Sequence, residues 1–212
     1  MAKAVLFTGG EAPRYAECAR LIRGDEFIAA CDSGFDLARS WGFSPSIVVG
    51  DMDSIREPRE LDRLHSTSIL RYSTDKDESD TEIGLRTLRK MGYDEVSVVG
   101  GGGGRLDHLI AILSLFNKRE LAPRAWFPGS EAVWLVDGLW EARLVPGSLL
   151  SVFPLADIPR SMSSEGLRWS LTGLEWGPGS YGLSNEALEP KVSIRCMSGR
   201  LIAVHSLADW RG

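Results

Sequence analysis

Val96-Ser-Val-Val-Gly100-Gly-Gly-Gly-Gly104-Arg105-Leu-Asp107-His108 is the stretch from which the architecture follows. A short apolar run with the look of a buried strand passes straight into five glycines. An apolar segment at helical spacing follows over 106–117. A strand that leaves through a loop into a helix is half of a βαβ unit, and the same phrase recurs upstream. An apolar run over 4–7 ends at Thr8-Gly9-Gly10 before a helical stretch over 15–22. A strand over 27–31 ends at Asp32-Ser33-Gly34 before a helix over 35–41 closed by Gly42. A strand over 46–49 ends at Gly50-Asp51-Met52-Asp53-Ser54, and a helix over 81–91 is closed by Gly92. A last strand covers 125–127, before Pro128-Gly129. This alternation predicts a mostly parallel α/β/α sandwich, Rossmann-like, with helices on both faces. Ligands of such sheets bind beyond the C-terminal strand ends, where nearly all the unusual residues fall.

From about residue 132 the character changes. Short apolar segments separated by turn residues (133–138, 142–147, 149–154, 166–171, 192–196 and 201–205) fit an antiparallel sandwich or barrel. The expected domains are therefore 1–128 and 129–212. The chain of 212 residues is 43% hydrophobic, with 24 basic against 29 acidic residues, so a general electrostatic hold on nucleic acid or an anionic membrane is not expected. No window is apolar for long enough to make a transmembrane helix. The opening residues turn to glycine too early for a secretory signal. Cys18, Cys31 and Cys196 are widely spaced and form no C-x-x-C, which fits a reducing, cytoplasmic setting and excludes a cysteine zinc site. With only three histidines, none four residues from another, any metal is expected to be a hard ion held by carboxylates, such as Mg²⁺.

Three stretches could carry chemistry. Asp51 and Asp53 follow a strand, and carboxylates two apart in extended chain share a side; two at one strand end repel unless a cation or proton lies between them. Asp75-Lys76-Asp77-Glu78-Ser79-Asp80-Thr81-Glu82 opens a helix. Ser79 or Asp80 can cap it, but five acidic residues in eight exceed what a cap needs. Asp77 and Asp80 share a face if that turn is helical. Lys76 either touches phosphate or balances its acidic neighbours. The amides of the glycine run can converge on phosphate oxygens, Arg105 adds a forked cation, and Asp107 adds a carboxylate. The run is neither a Walker A loop nor the G-x-G-x-x-G fingerprint. His108 reads as a solvent-facing residue in the first helical turn. Trp169 reads as core and Ser184-Asn185 as a turn. Together, glycine loops and clustered carboxylates at neighbouring strand ends describe a Mg²⁺–nucleotide polyphosphate site.

These motifs, in this order, resemble the thiamine pyrophosphokinase family. Its glycine pair, A-D-G-G-like turn, G-D-x-D-S, K-D-x-T-D-x-E and G-G-R-x-D-H match Gly9-Gly10, Cys31 to Gly34, Gly50 to Ser54, Lys76 to Glu82 and Gly103 to His108. Its second domain, a β-sandwich, is matched by Ser151-Val-Phe-Pro154-Leu, Gly166-Leu-Arg-Trp169-Ser-Leu and Ser184-Asn185-Glu186. Ser33 stands where the family has glycine, and Ser79 where it has threonine. The resemblance implies an enzyme, a thiamine diphosphokinase, that forms thiamine diphosphate and AMP from thiamine and ATP. It implies Mg²⁺ on Asp51, Asp53 and Asp80, with Arg105 and Asp107 beside them. Gly9, Gly10, Asp32, Ser33, Gly34, Lys76, Asp77, Ser79, Gly102, Gly103 and Gly104 would meet the nucleotide. Ser184, Asn185 and Trp169 would meet thiamine, in a homodimer whose site lies between subunits.

Two rival readings exist. Asp51-Met-Asp53 imitates the D-x-D of phosphatases that form an aspartyl phosphate, though that leaves the glycine run and the second half unexplained. A nucleotide- or thiamine-binding sensor without turnover would carry the same motifs.

Overall fold

The structure is a computed structural model, and it describes residues 2–61, 67–73, 77–177 and 179–212. The chain divides into two compact units, Met1–Gly129 and Ser130–Gly212. Among the described residues no helix is long and apolar enough to cross a membrane.

The first unit is a parallel sheet of six strands, β1 (Lys3–Phe7), β2 (Phe27–Cys31), β3 (Ile47–Gly50), β4 (Ser68–Arg71), β5 (Glu95–Val99) and β6 (Ala125–Phe127), in the order β4-β3-β2-β1-β5-β6. The chain runs outward from β1 to β4 and then returns to lay β5 against the free side of β1. The order reverses between β1 and β5, and there the connections diverge and leave a crevice. The connecting helices are α1 (Tyr15–Cys18), α2 (Gly34–Ser40), α3 (Pro58–Leu61), α4 (Asp80–Lys90) and α5 (Leu106–Leu115). β4 and α3 were not expected. β4 is an edge strand of half-exposed and exposed residues, so it lacks the apolar run that announces a buried strand. α1 is shorter than expected, because the Leu21 and Ile22 N–H groups both close on the Cys18 carbonyl and tighten the last turn.

α4 sets the position of one half of the site. The Ser79 side chain accepts from the Glu82 N–H at 3.2 Å and caps the helix, and Arg89 and Lys90 close its last turn. Gly84 lets the helix press on β1 and β2, since a Cβ there would stand 2.6 Å from Cys31 Sγ. Glu82 is buried and is matched by Arg86 and by Lys118.

The second unit is antiparallel throughout: β7 (Glu131–Arg143), β8 (Leu149–Pro154), β9 (Ser161–Glu165), β10 (Gly182–Glu186) and β11 (Lys191–Ser206). β11 pairs with β7 along its length. On its other edge it takes β9 over its first half and β8 over its second. The segments expected as separate strands over 133–138 and 142–147 are largely one strand, and 192–196 and 201–205 are another. Gly138 (φ 82°) and Gly199 (φ 78°) look like turns in sequence. In the fold they sit where the β7–β11 register shifts, between Cys196 and Leu201, so the glycines make a bulge rather than a break. The segment 166–171 is not a strand; its one ladder contact is the bridge from Leu167 to Ala187. Ser184 and Asn185 lie within β10 and not in a turn.

Candidate active site

The crevice between β1 and β5 opens into a cavity of about 460 Å³. Its walls come from the loops after β1, β2, β3 and β5 and from the starts of α4 and α5. The expected residues Gly9, Gly10, Asp32, Ser33, Ser79, Asp80, Gly102, Gly103, Gly104 and Arg105 all line it. Thr8, Cys31, Ser54, Thr81, His108 and Ile112 line it as well and had been given no site role. Thr8 and Thr81 sit next to motif residues, and their hydroxyls meet at 2.8 Å, tying the end of β1 to the start of α4. The Cys31 thiol donates to the Asp80 carbonyl at 3.0 Å and makes a second tie.

The glycine run divides into two parts. The N–H groups of Gly100, Gly101 and Gly102 donate to the carbonyls of Phe127, Gly9 and Glu11. Those bonds stitch the β5 loop to the β1 and β6 loops. The amides of Gly103, Gly104 and Arg105 have no partner among the described residues, so only this last part is available to a phosphate. Gly103 and Gly104 have φ of 63° and 62°, a conformation that disfavours a side chain.

Asp32 is the centre of the acidic group. It holds a left-handed backbone (φ 45°), an uncommon state that the surrounding bonds over-determine. Its side chain lies over Gly50, where a Cβ would stand 1.9 Å from Oδ1, and Oδ1 accepts from the Met52 N–H at 3.2 Å. Burial pushes the Asp32 carboxyl up to about 7. The Met52 N–H works against this, while the Asp80 and Asp51 carboxylates add to it. Asp80, from the start of α4, and Asp51, from the end of β3, thus each crowd Asp32 at the end of β2.

Asp51 and Asp53 do not stand side by side as extended chain would place them. Gly50 (φ 140°) and Met52 (φ 67°) turn the backbone, and the Asp53 N–H donates to Asp51 Oδ1 at 3.1 Å. Neither lines the cavity, and Asp53 is exposed. Asp77 lines a separate hollow with Glu78 and Arg86. Gly34 is buried against β1, where a Cβ would strike the Phe7 carbonyl at 2.2 Å, so it serves packing. Arg105 pairs with Asp107 at 2.5 Å on the exposed start of α5, and this bond holds the Asp107 carboxyl below its ordinary range. Lys76, with Asp75, lies outside the described residues.

Among the described residues no three carboxylate, thiol or imidazole groups are already gathered about one point. The crowding is pairwise, Asp32 with Asp80 and Asp32 with Asp51. An all-oxygen, multiply anionic set of this kind still fits a hard divalent cation, because such an ion relieves the repulsion that raises Asp32.

In the second unit Ser184 lines a different cavity, of about 740 Å³, together with Ser148, Ser151, Ser206, Glu131 and Asp209. Ser184 also has a left-handed backbone (φ 56°), and its N–H donates to Ser151 Oγ at 3.0 Å. Asn185 is buried and clamps Trp169: its Oδ1 accepts from the Trp169 N–H at 3.1 Å and its Nδ2 donates to the Trp169 carbonyl at 2.6 Å. Trp169 is 58% exposed, so the expectation of a core residue is corrected. A segment fastened at its backbone by Asn185 leaves the indole outside.

A family model described as "Thiamin pyrophosphokinase, catalytic domain" matches residues 18–124, just over half of the chain. The fold is similar to that of thiamine pyrophosphokinase from Bacillus subtilis (TM-score 0.80, 17% identity, 96% of this chain and 98% of that one). It is similar to thiamin pyrophosphokinase from Geobacillus thermodenitrificans (TM-score 0.78, 21% identity, 97% of each chain). It is also similar to thiamin pyrophosphokinase from Candida albicans (TM-score 0.71, 16% identity, 97% of this chain and 89% of that one). No curated protein sequence matches the chain significantly.

Proposed function

We infer that this chain, which belongs to the thiamin pyrophosphokinase family of enzymes, transfers a pyrophosphoryl group from ATP to the hydroxyl of thiamine. The products are thiamine diphosphate and AMP. The observation that carries the reading is that Asp32, crowded by Asp80 and by Asp51, lines with Asp80 the same crevice as Gly103, Gly104 and Arg105, whose amides are unpaired among the described residues. One side of the crevice repels itself for want of positive charge, and the other offers donors to negative charge. A polyphosphate accompanied by a divalent cation answers both.

The step follows from these groups. The thiamine hydroxyl oxygen bonds to the β-phosphorus, the bond from that phosphorus to the α–β bridging oxygen breaks, and AMP leaves. The loop amides and the Arg105 guanidinium take the charge on the phosphate oxygens. The hydroxyl proton passes to a carboxylate of the aspartate group. Asp51 and Asp80, with Asp53 next along the loop, would hold Mg²⁺, which when bound neutralises charge on the polyphosphate. Thiamine carries a cationic ring, and the cavity of the second unit that contains Ser184 also contains Glu131 and Asp209, which supports its use by such a cation. The exposed apolar side chains Leu106 (69%) and Ile110 (54%) on α5 support a homodimer that covers them. The three buried cysteines, none of them in a disulfide, support a cytoplasmic location.

The test is to incubate the protein with Mg²⁺, ATP and thiamine and to separate nucleotides and thiamine esters. AMP and thiamine diphosphate should appear together. ADP with thiamine monophosphate would overturn pyrophosphoryl transfer, and nucleotide binding without products would favour the sensor. Asp80→Asn removes a charge but little volume, so it should cut turnover by at least about 10²-fold with the unfolding midpoint retained.

A further inference from the structure

A second chamber, of about 330 Å³, adjoins the crevice. The two share a wall of Gly9, Gly10, Ser33 and Ser54, and beyond it the second is lined by Asp36, Leu37, Ser40 and Arg56. The wall is thin: a Cβ on Gly9 would come within 2.2 Å of Ser33 Oγ. The far side is built. The Ser33 N–H donates to Ser54 Oγ at 3.2 Å, and the Arg56 N–H donates to Asp36 Oδ2 at 3.0 Å. The loop after β3 is therefore fastened to the start of α2 at two points, and Asp36 is half-buried between them. The volume lies at the lower end of the range of about 300–1,000 Å³ usual for small-molecule sites.

The two chambers differ in chemistry. The first ends in amides and a guanidinium that suit phosphate oxygens. The second holds the Asp36 carboxylate, which is acceptor only and attracts hydroxyl groups. One bond from Arg56 leaves that carboxylate with capacity for further donors. In dinucleotide-binding α/β folds an acidic side chain set apart from the phosphate turn takes a ribose hydroxyl, and the chemistry of a half-buried carboxylate at Asp36 is the same. Resting on the nucleotide-donor reading above, we propose that the second chamber holds the nucleoside end of the donor, with Asp36 accepting from its ribose hydroxyls. The phosphate chain then crosses the Gly9–Ser33 wall into the crevice. Asp36 is a specificity determinant for a ribonucleotide donor.

The experiment is equilibrium binding of ATP, 2′,3′-dideoxy-ATP and inorganic tripolyphosphate in magnesium buffer, to the wild type and to Asp36→Ala and Asp36→Asn. The wild type should hold ATP about tenfold or more tighter than the dideoxy analogue, since hydrogen bonds to a charged acceptor are lost. In Asp36→Ala that ratio should fall to about two or less, with tripolyphosphate affinity unchanged to within about twofold. Asp36→Asn keeps an oxygen for the Arg56 N–H and should retain part of the preference. Nucleotide binding with an unaltered ratio in Asp36→Ala, or a loss of tripolyphosphate affinity equal to the loss for ATP, overturns the chamber assignment and leaves the donor reading standing. Failure of the wild type to bind any of the three overturns the donor reading and the assignment with it.

Discussion

Gly50→Ala tests whether the position of the Asp32 carboxylate matters to the chemistry. The new methyl carbon would stand 1.9 Å from Asp32 Oδ1 and 2.5 Å from its Cγ, well inside contact distance. The carboxylate has to retreat by about an ångström or more, and a misplacement of that size costs on the order of 10²-fold in rate. Retreat also breaks the 3.2 Å bond from the Met52 N–H. Losing a hydrogen bond to a carboxylate costs about 1.5–3 kcal/mol. Gly50 has φ 140°, so any side chain there adds strain of about 1–3 kcal/mol. At roughly 2–4 °C per kcal/mol for a chain of this size, the unfolding midpoint should fall by about 5–25 °C. Turnover is read as thiamine diphosphate formed with AMP, and stability by thermal and denaturant unfolding. Asp32→Ala supplies the control, because it removes the atoms that collide and leaves the backbone strain. In that background Gly50→Ala should cost less than it does alone, by about 1 kcal/mol or more. Full turnover by Gly50→Ala would refute the role given to Asp32, and additive stability effects would refute the collision itself.

Asn185→Ala removes two bonds to the Trp169 backbone from a buried side chain. It should destabilise the second unit by about 2–3 kcal/mol and raise KM for thiamine more than it lowers kcat; an unchanged KM would separate Trp169 from thiamine. His205 is 2% exposed, its Nε2 accepts from Trp134 Nε1 at 2.9 Å, and its Nδ1 lies 2.8 Å from the Ser206 carbonyl, an arrangement that fits the neutral ring. Burial lowers its pKa, against the Ser206 carbonyl and the Asp209 carboxylate. The unfolded chain then takes the proton first, so this contribution is complete above the ordinary value of about 6.5 and is lost as pH falls below it. Denaturant unfolding from pH 8 to 5 should decline less steeply in His205→Gln than in the wild type, and equal slopes would remove His205 from the account.

The strand ends were legible because their chemistry is local. A chain that must turn at the end of a buried parallel strand needs glycine or aspartate there, and parallel topology then gathers those ends without further information. That reasoning reached Gly9, Gly10, Asp32 and Gly102 to Gly104, all of which line one cavity with Asp80, which was read from the acidic opening of a helix. It failed where a residue's role depends on a neighbour distant in sequence. Five consecutive glycines look equivalent, yet three of their amides are committed to Phe127, Gly9 and Glu11. Gly138 and Gly199 look like turns until the β7–β11 register makes them a bulge. Asn185 and Trp169 look unrelated until β10 brings one under the other. The Asp51–Asp53 pair shows the same limit most sharply. Side-chain alternation holds only while the backbone stays extended, and Met52 at φ 67° ends it. Nothing in a methionine announces a left-handed backbone. Its N–H is drawn to Asp32 Oδ1, Asp32 is itself left-handed at φ 45°, and Gly50 leaves room for the carboxylate that joins them. The strain at Asp32 and Met52 is thus a joint property of two loops on adjacent strands. It marks the place where burial, backbone conformation and acidic crowding act on the same carboxylate.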